Sequence, residues 1–123
     1  MPSLSEHFWN ISGGTIYERA EECTDTTAPG DTIAVPSSGK RLVITHICVA
    51  HDAPARYAKI RHYESDGTTK VADLFLNLTH TFAILSVNFM DFSGCPIVLP
   101  IDHMLKCDTN AGTISVTVRG YEI

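Results

Sequence analysis

The chain has no apolar run approaching 18 residues, the shortest stretch that reads as a membrane-spanning helix, so no membrane partner is expected. Basic residues are few: nine Lys and Arg are scattered among fourteen Asp and Glu, leaving a formal charge of −5. Duplex nucleic acid is held largely through neutralised phosphates, so nucleic acid is not an expected partner either. The four cysteines, at 23, 48, 95 and 107, form no C-x-x-C pair, and free thiols in a reducing compartment are expected. The opening "MPSLSEHFWNISGG" has neither a basic n-region nor an apolar h-region, which points to synthesis and use in a cytoplasm, or assembly there before release. Missing too are G-x-S-x-G, H-E-x-x-H and any Gly-rich phosphate loop, and no segment carries a 3.6-residue apolar period beyond ten residues.

What is present is a period of two. "TISVTVR" (113–119) places Ile114, Val116 and Val118 on one side and Thr113, Ser115, Thr117 and Arg119 on the other, as a half-buried strand requires. "RLVITHICVA" (41–50) is apolar on both sides, with Leu42, Ile44, His46, Cys48 and Ala50 opposing Val43, Thr45, Ile47 and Val49, which suits a central strand. "RYAKIRHYE" (56–64) and "TKVADLFL" (69–76) flank the hairpin signal Asp66-Gly67, and "HMLKC" (103–107) is joined to the final strand by "DTNAG". "FAILSVNFM" (82–90), "DTIAV" (31–35) and "TIYERAEEC" (15–23) complete the set. The last has helix-favouring Glu, Arg and Ala, but its opening Thr15, Ile16 and Tyr17 after Gly13-Gly14 favour a strand. Eight or nine short strands at 8–12-residue spacing predict an all-β fold: an antiparallel two-sheet sandwich, jelly-roll-like, of about eight strands over residues 15–123, preceded by an N-terminal arm over 1–14.

Candidate chemistry is sparse, and contact surfaces are the better reading. "HICVAHD" gathers His46, Cys48, His51 and Asp52, all ligand types, yet no second half of a zinc pattern accompanies them and the cupin H-x-H with a following Glu is missing. A Cys48 nucleophile with His51 as base is disfavoured because burial on a strand raises a thiol's pKa. No cofactor, metal or catalytic residue is expected. On 56–64, Tyr57, Lys59, Arg61 and Tyr63 share a side, an interleaving of aromatic and cation that suits a protein surface or a sugar, or is simply the solvent side of a sheet. The arm holds Phe8 and Trp9, which either cover an edge of their own sandwich or anchor on a neighbouring subunit.

"GTIYE", "RLVITHICVAHDAPARYAKIRHYESDGTT" and the closing "IDHMLKCDTNAGTISVTVRGYEI" together resemble small β-sandwich structural proteins of tailed bacteriophages, over roughly residues 13–123. The arm, and His51 where Asn often stands in that family, depart from its pattern. The resemblance implies a non-enzymatic virion component: a capsid decoration (cement) protein contacting the major capsid protein or other virion proteins, assembled in the host cytoplasm and often trimeric. A tail or fibre accessory protein with glycan contact through Tyr57 and Tyr63 is the alternative, and a small metal protein or enzyme using His46, Cys48 and His51 a second.

Overall fold

The structure, a computed structural model, describes residues 14–53, 56–79 and 87–123. Among the described residues nine strands follow one another: β1 (Thr15–Cys23), β2 (Asp31–Ala34), β3 (Leu42–His51), β4 (Tyr57–Tyr63), β5 (Lys70–Thr79), β6 (Val87–Asp91), β7 (Ile97–Val98), β8 (Met104–Thr109) and β9 (Ile114–Glu122). The segment "TIYERAEEC" is a strand throughout. β7, two residues long, has no counterpart in the sequence reading, because a pair of residues shows no period.

All pairings are antiparallel and nest: β1 pairs β9, β2 pairs β8, β3 pairs β6 and β7, and β4 pairs β5. Folding that ribbon of nested pairs over on itself adds β9 beside β3 and β8 beside β4. The outcome is two sheets, β1-β9-β3-β6 with β7 extending β3's free side, and β2-β8-β4-β5. Counting β6 and β7 as one position, this is the eight-position order of a jelly roll.

The core lies between the sheets. Ile114, Val116 and Val118 of β9 are fully buried with Ile33, Leu42, Ile44, Ile47, Val49, Ile60, Leu99 and Leu105. Burying each such side chain contributes about 1.5–3 kcal/mol. Cys23 and Cys107 join them as small apolar groups; Cys23 Sγ donates to the Cys107 carbonyl at 3.0 Å, and the neighbouring Cys23 thiol first, then burial, raise the Cys107 thiol's pKa far above its ordinary value. All four cysteines are free thiols.

The final strand is fixed at its far end by three separate ties. Ile123 exchanges backbone bonds with Arg41, at 2.9 and 3.0 Å. The Glu122 carboxylate accepts from the Ser37 amide and hydroxyl, each at 2.9 Å. Gly120 faces Ile44 where a side chain would not fit: a Cβ there would sit 1.9 Å from the Val43 carbonyl oxygen. The sequence "GYEI" is thus a closing device, with one close approach, one outward ring and two clamps.

β3 departs from simple alternation. Its pairing with β9 shifts between Ile44 and His46, so Thr45 is an extra residue on β3 and a bulge. Leu42 and Ile44 face the core before it, and Ile47, Val49 and His51 face the core after it. The expected grouping of His46 and Cys48 with Leu42 and Ile44 is therefore wrong. A one-residue offset turns every later side chain to the other face.

Candidate interaction surface

The bulge places His46 and Cys48 on the outside of the first sheet, where register with β1, β9, β6 and β7 defines four cross-strand rows, the last of them running through Glu22, Ser115 and Ala50. Ile16, Tyr121, Val43 and Val98 form the first. Glu18, Arg119, His46 and Asp91 form the second, and Ala20, Thr117, Cys48 and Phe89 the third. Residues directly opposite each other in a ladder share a face, so each row is a line of neighbouring side chains.

The first row is apolar from end to end, and its terminal members are open, Ile16 at 64% and Val98 at 55% exposure. In the third row Phe89 is 61% exposed, the largest apolar side chain so displayed among the described residues. Between them lies a row of paired polar side chains. Arg119 reaches Glu18 at 3.4 Å and His46 Nε2 lies 3.3 Å from Asp91, while His46 stacks on Phe89 with ring centroids 5.5 Å apart. Thr45 Oγ1 lies 2.9 Å from His46 Nδ1, which fixes the imidazole's orientation. Hydrogen bonds from Ser93, and then the nearby His46, hold the Asp91 carboxyl below its ordinary pKa. Both contacts are open to solvent, and the Glu18–Arg119 ion pair contributes little stability. Glu18, Glu22 and Asp91 share this face with Arg119 and His46, so it carries no excess of positive charge.

Depressions on this face are shallow. One of about 210 Å³ lies between Ile16, His46, Phe89 and Arg119, and one of about 160 Å³ between Cys48, Phe89 and Thr117. Sites for small ligands run to about 300–1,000 Å³ and enclose most of the ligand. A hollow of about 500 Å³ beside Ala20, Glu21, Glu22 and Ser115 is walled only by two adjacent strands of one sheet, so it cannot enclose anything. The geometry is that of a contact face.

Phe8 and Trp9 lie outside the described residues. Tyr57, Lys59 and Arg61 do share the outer face of the second sheet, with the Lys59 ammonium 4.9 Å from the Tyr57 ring centroid. Arg61 is taken up internally: it pairs with Asp73 at 3.1 Å and also with Asp108, which is 6% exposed. Tyr63 was expected on this open face and is instead 3% exposed. It stands opposite Met104, and the 64–69 turn folds back so that Gly67 packs against Met104 and Lys106. That fold-back follows from Asp66, whose carboxylate accepts from the Thr68 and Thr69 amides, both at 2.9 Å, while Gly67 supplies φ 72°. The four-residue aromatic and cationic stripe is thus reduced to Tyr57 and Lys59.

The His46, Cys48 and His51 grouping is also dispersed, with the first two outside and His51 in the core at 2% exposure. Among the described residues no three His, Cys, Asp or Glu side chains are gathered as a metal site. Cys48, expected to be silenced by burial, is only half-buried on the outer face. Ile16, Phe89 and Val98, which define the contact face, were not singled out from sequence. Their apolar character was visible, but their orientation depends on the Thr45 bulge and on strand partners.

A second feature inside the fold is titratable. His62, 7% exposed, lies with Nε2 2.8 Å from His103 Nδ1, between Ala72 of β5 and Leu105 of β8. Burial first, and the neighbouring imidazole second, lower the His62 pKa from 6.5. The unfolded chain therefore binds more protons than the native one just below that value, so stability is greatest above pH 6.5 and falls as pH drops through the window between 6.5 and the lowered native pKa. Urea midpoints measured from pH 8 to pH 5 should fall on the acid side, and His103→Gln should make the fall shallower. A midpoint independent of pH in this range would contradict it.

No protein-family model, no curated protein and no solved structure matches the chain.

Proposed function

We propose that this chain is a structural protein of a bacteriophage virion, a capsid decoration protein that works by adhesion and carries out no catalysis. The observation that carries this reading is the outer face of the β1-β9-β3-β6 sheet, where Ile16, Phe89 and Val98 are displayed on a rigid sandwich around a row of paired polar side chains. The resemblance of "GTIYE" and the closing "GYEI" to phage sandwich proteins supplies the kind of particle. The strands β1, β9, β3, β6 and β7 of this sheet present about 550 Å², a large part of one partner's share of a standard interface of about 800 Å². Cover by the major capsid protein would bury the apolar groups and stabilise the assembled shell by mass action, because the protein binds only the assembled state. Assembly as a homo-oligomer, three copies by the same resemblance, belongs to this proposal.

The test is co-sedimentation with capsids of the phage that encodes the chain. Phe89→Glu should lower occupancy at least about tenfold, equivalent to ~1.4 kcal/mol, with little change in the isolated protein's melting temperature, since Phe89 contributes little to the core. Tyr57→Ala should leave occupancy unchanged. The tail-accessory alternative rests on the Tyr57 and Lys59 pair and makes the opposite forecast: binding to host cells lost with Tyr57→Ala, and no effect of Phe89→Glu.

A further inference from the structure

Two of the four free thiols meet in the core, and they belong to different sheets. Cys23 ends β1 and Cys107 lies in β8, and both are fully buried. Where the chain leaves the first sheet it passes alongside β8 on its way to β2. The Thr109 amide donates to the Asp25 carbonyl at 2.9 Å, and the Asp31 carboxylate accepts from the Thr24 and Asp25 amides at 2.8 and 3.0 Å, with Asp31 itself opposite Cys107 in the β2–β8 ladder. That crossing carries Cys23 Sγ to 3.0 Å from the Cys107 carbonyl oxygen. Standard bond lengths then hold the two Cα atoms to roughly 8 Å apart at most, against about 4.4–6.8 Å in disulfides. The Cys23 thiol also acts on the Cys107 thiol itself, raising its pKa more than burial does. Cys48 is half-buried on the outer face and Cys95 is exposed, so neither shares this place.

We propose that Cys23 and Cys107 are a disulfide-forming pair, which joins the two sheets covalently when the chain folds in an oxidising compartment. The oxidant is a low-molecular-weight disulfide such as oxidised glutathione. One cysteine thiolate attacks it, forming a mixed disulfide and releasing one glutathione thiolate. The other cysteine thiolate then attacks the protein sulfur of that mixed disulfide, closing the Cys23–Cys107 bond and releasing the second glutathione. The two protons lost by the cysteines pass to the two glutathione thiolates, so the protein is oxidised by two electrons and the glutathione disulfide is reduced by two. In the finished fold neither sulfur is accessible, and the thiolate needed for attack is suppressed at Cys107. The exchange therefore belongs to the open chain, and folding selects this pairing because the contacts of Thr24 and Asp25 hold the crossing against β2 and β8. In a reducing compartment the pair stays as two thiols filling the core. This inference is independent of the virion reading, since it concerns the isolated molecule.

Refolding from urea in a mixture of reduced and oxidised glutathione tests the pair, with refolding in dithiothreitol as the reference. In the double variant Cys48→Ala, Cys95→Ser only these two thiols remain. Its product should carry no glutathione and should be lighter than the reduced chain by two hydrogens. Because the bond ties positions 84 residues apart, the melting temperature should exceed that of the protein refolded in dithiothreitol by roughly 10 °C. Should that variant fail to fold, the unsubstituted chain carries the test: peptide mapping of its refolded product should find Cys23 joined to Cys107, and neither joined to Cys48 or Cys95. Free or glutathione-capped Cys23 and Cys107 in the refolded protein would overturn the proposal. So would pairing of either with Cys48 or Cys95, or a Cys23–Cys107 bond that lowers the melting temperature.

Discussion

Gly120→Ala is expected to cost about 3 kcal/mol or more, lowering the melting temperature by about 10 °C or leaving the protein unfolded at expression temperature. The reason is steric. Gly120 faces Ile44 at the end of β9, beside the bulge, and an alanine Cβ would meet the Val43 carbonyl oxygen at 1.9 Å, with Val43 C and Ile44 Cα both at 3.0 Å. All three are backbone atoms of the central strand, which cannot move aside as a side-chain tip can. Relief would require β9 to lift from β3, and that would loosen the Arg41–Ile123 and Ser37–Glu122 ties that follow. Gly94→Ala is the control, since a Cβ there meets nothing within 4 Å. Thermal melts of the two variants should differ widely; equal melting temperatures would show that β9 does not approach β3 in this way.

The second large effect tests the phase of β3. Ile47→Ala should cost about 2–5 kcal/mol because it opens a cavity in the fully buried layer against Val118. Its neighbour Cys48→Ala should stay within about 0.5 kcal/mol, since Cys48 is half-buried on the outer face. An unbulged strand with Leu42 and Ile44 in the core would reverse this order, making Cys48 the costly position. Urea denaturation of the two single variants therefore distinguishes a bulged from a regular β3.

Those two sites also mark how far the sequence could be read. β9 was legible because its polar and apolar residues alternate strictly, so only one face can be core. β3 is apolar in both phases, and nothing in "RLVITHICVA" marks Thr45 as the extra residue; the bulge comes from pairing with β9. The two-sheet architecture survived that error because it needs only the number and spacing of strands. The site did not survive it. The phase of β3 decides that His46 and Cys48 belong to the outer face with Phe89, and the Asp66 turn brings Gly67 beside Met104, the residue opposite the buried Tyr63. Both are consequences of contacts between segments distant along the chain, which periodicity within one segment does not encode. Arg61 is similar: it reads as a free cation in sequence, but Asp73 and Asp108 come from two other strands to neutralise it.

Function then follows from what the sandwich leaves open. A face with exposed Ile16, Phe89 and Val98 and no excess of positive charge favours a flat partner over a small ligand or a polyanion. The most direct test of the proposed function is an electron cryomicroscopy map of bacteriophage capsids incubated with this protein. Density that places the β1-β9-β3-β6 sheet against the shell, with Phe89 buried in the contact, is the predicted result. A protein absent from the capsid, or seated on it with that sheet turned to solvent, would contradict the assignment.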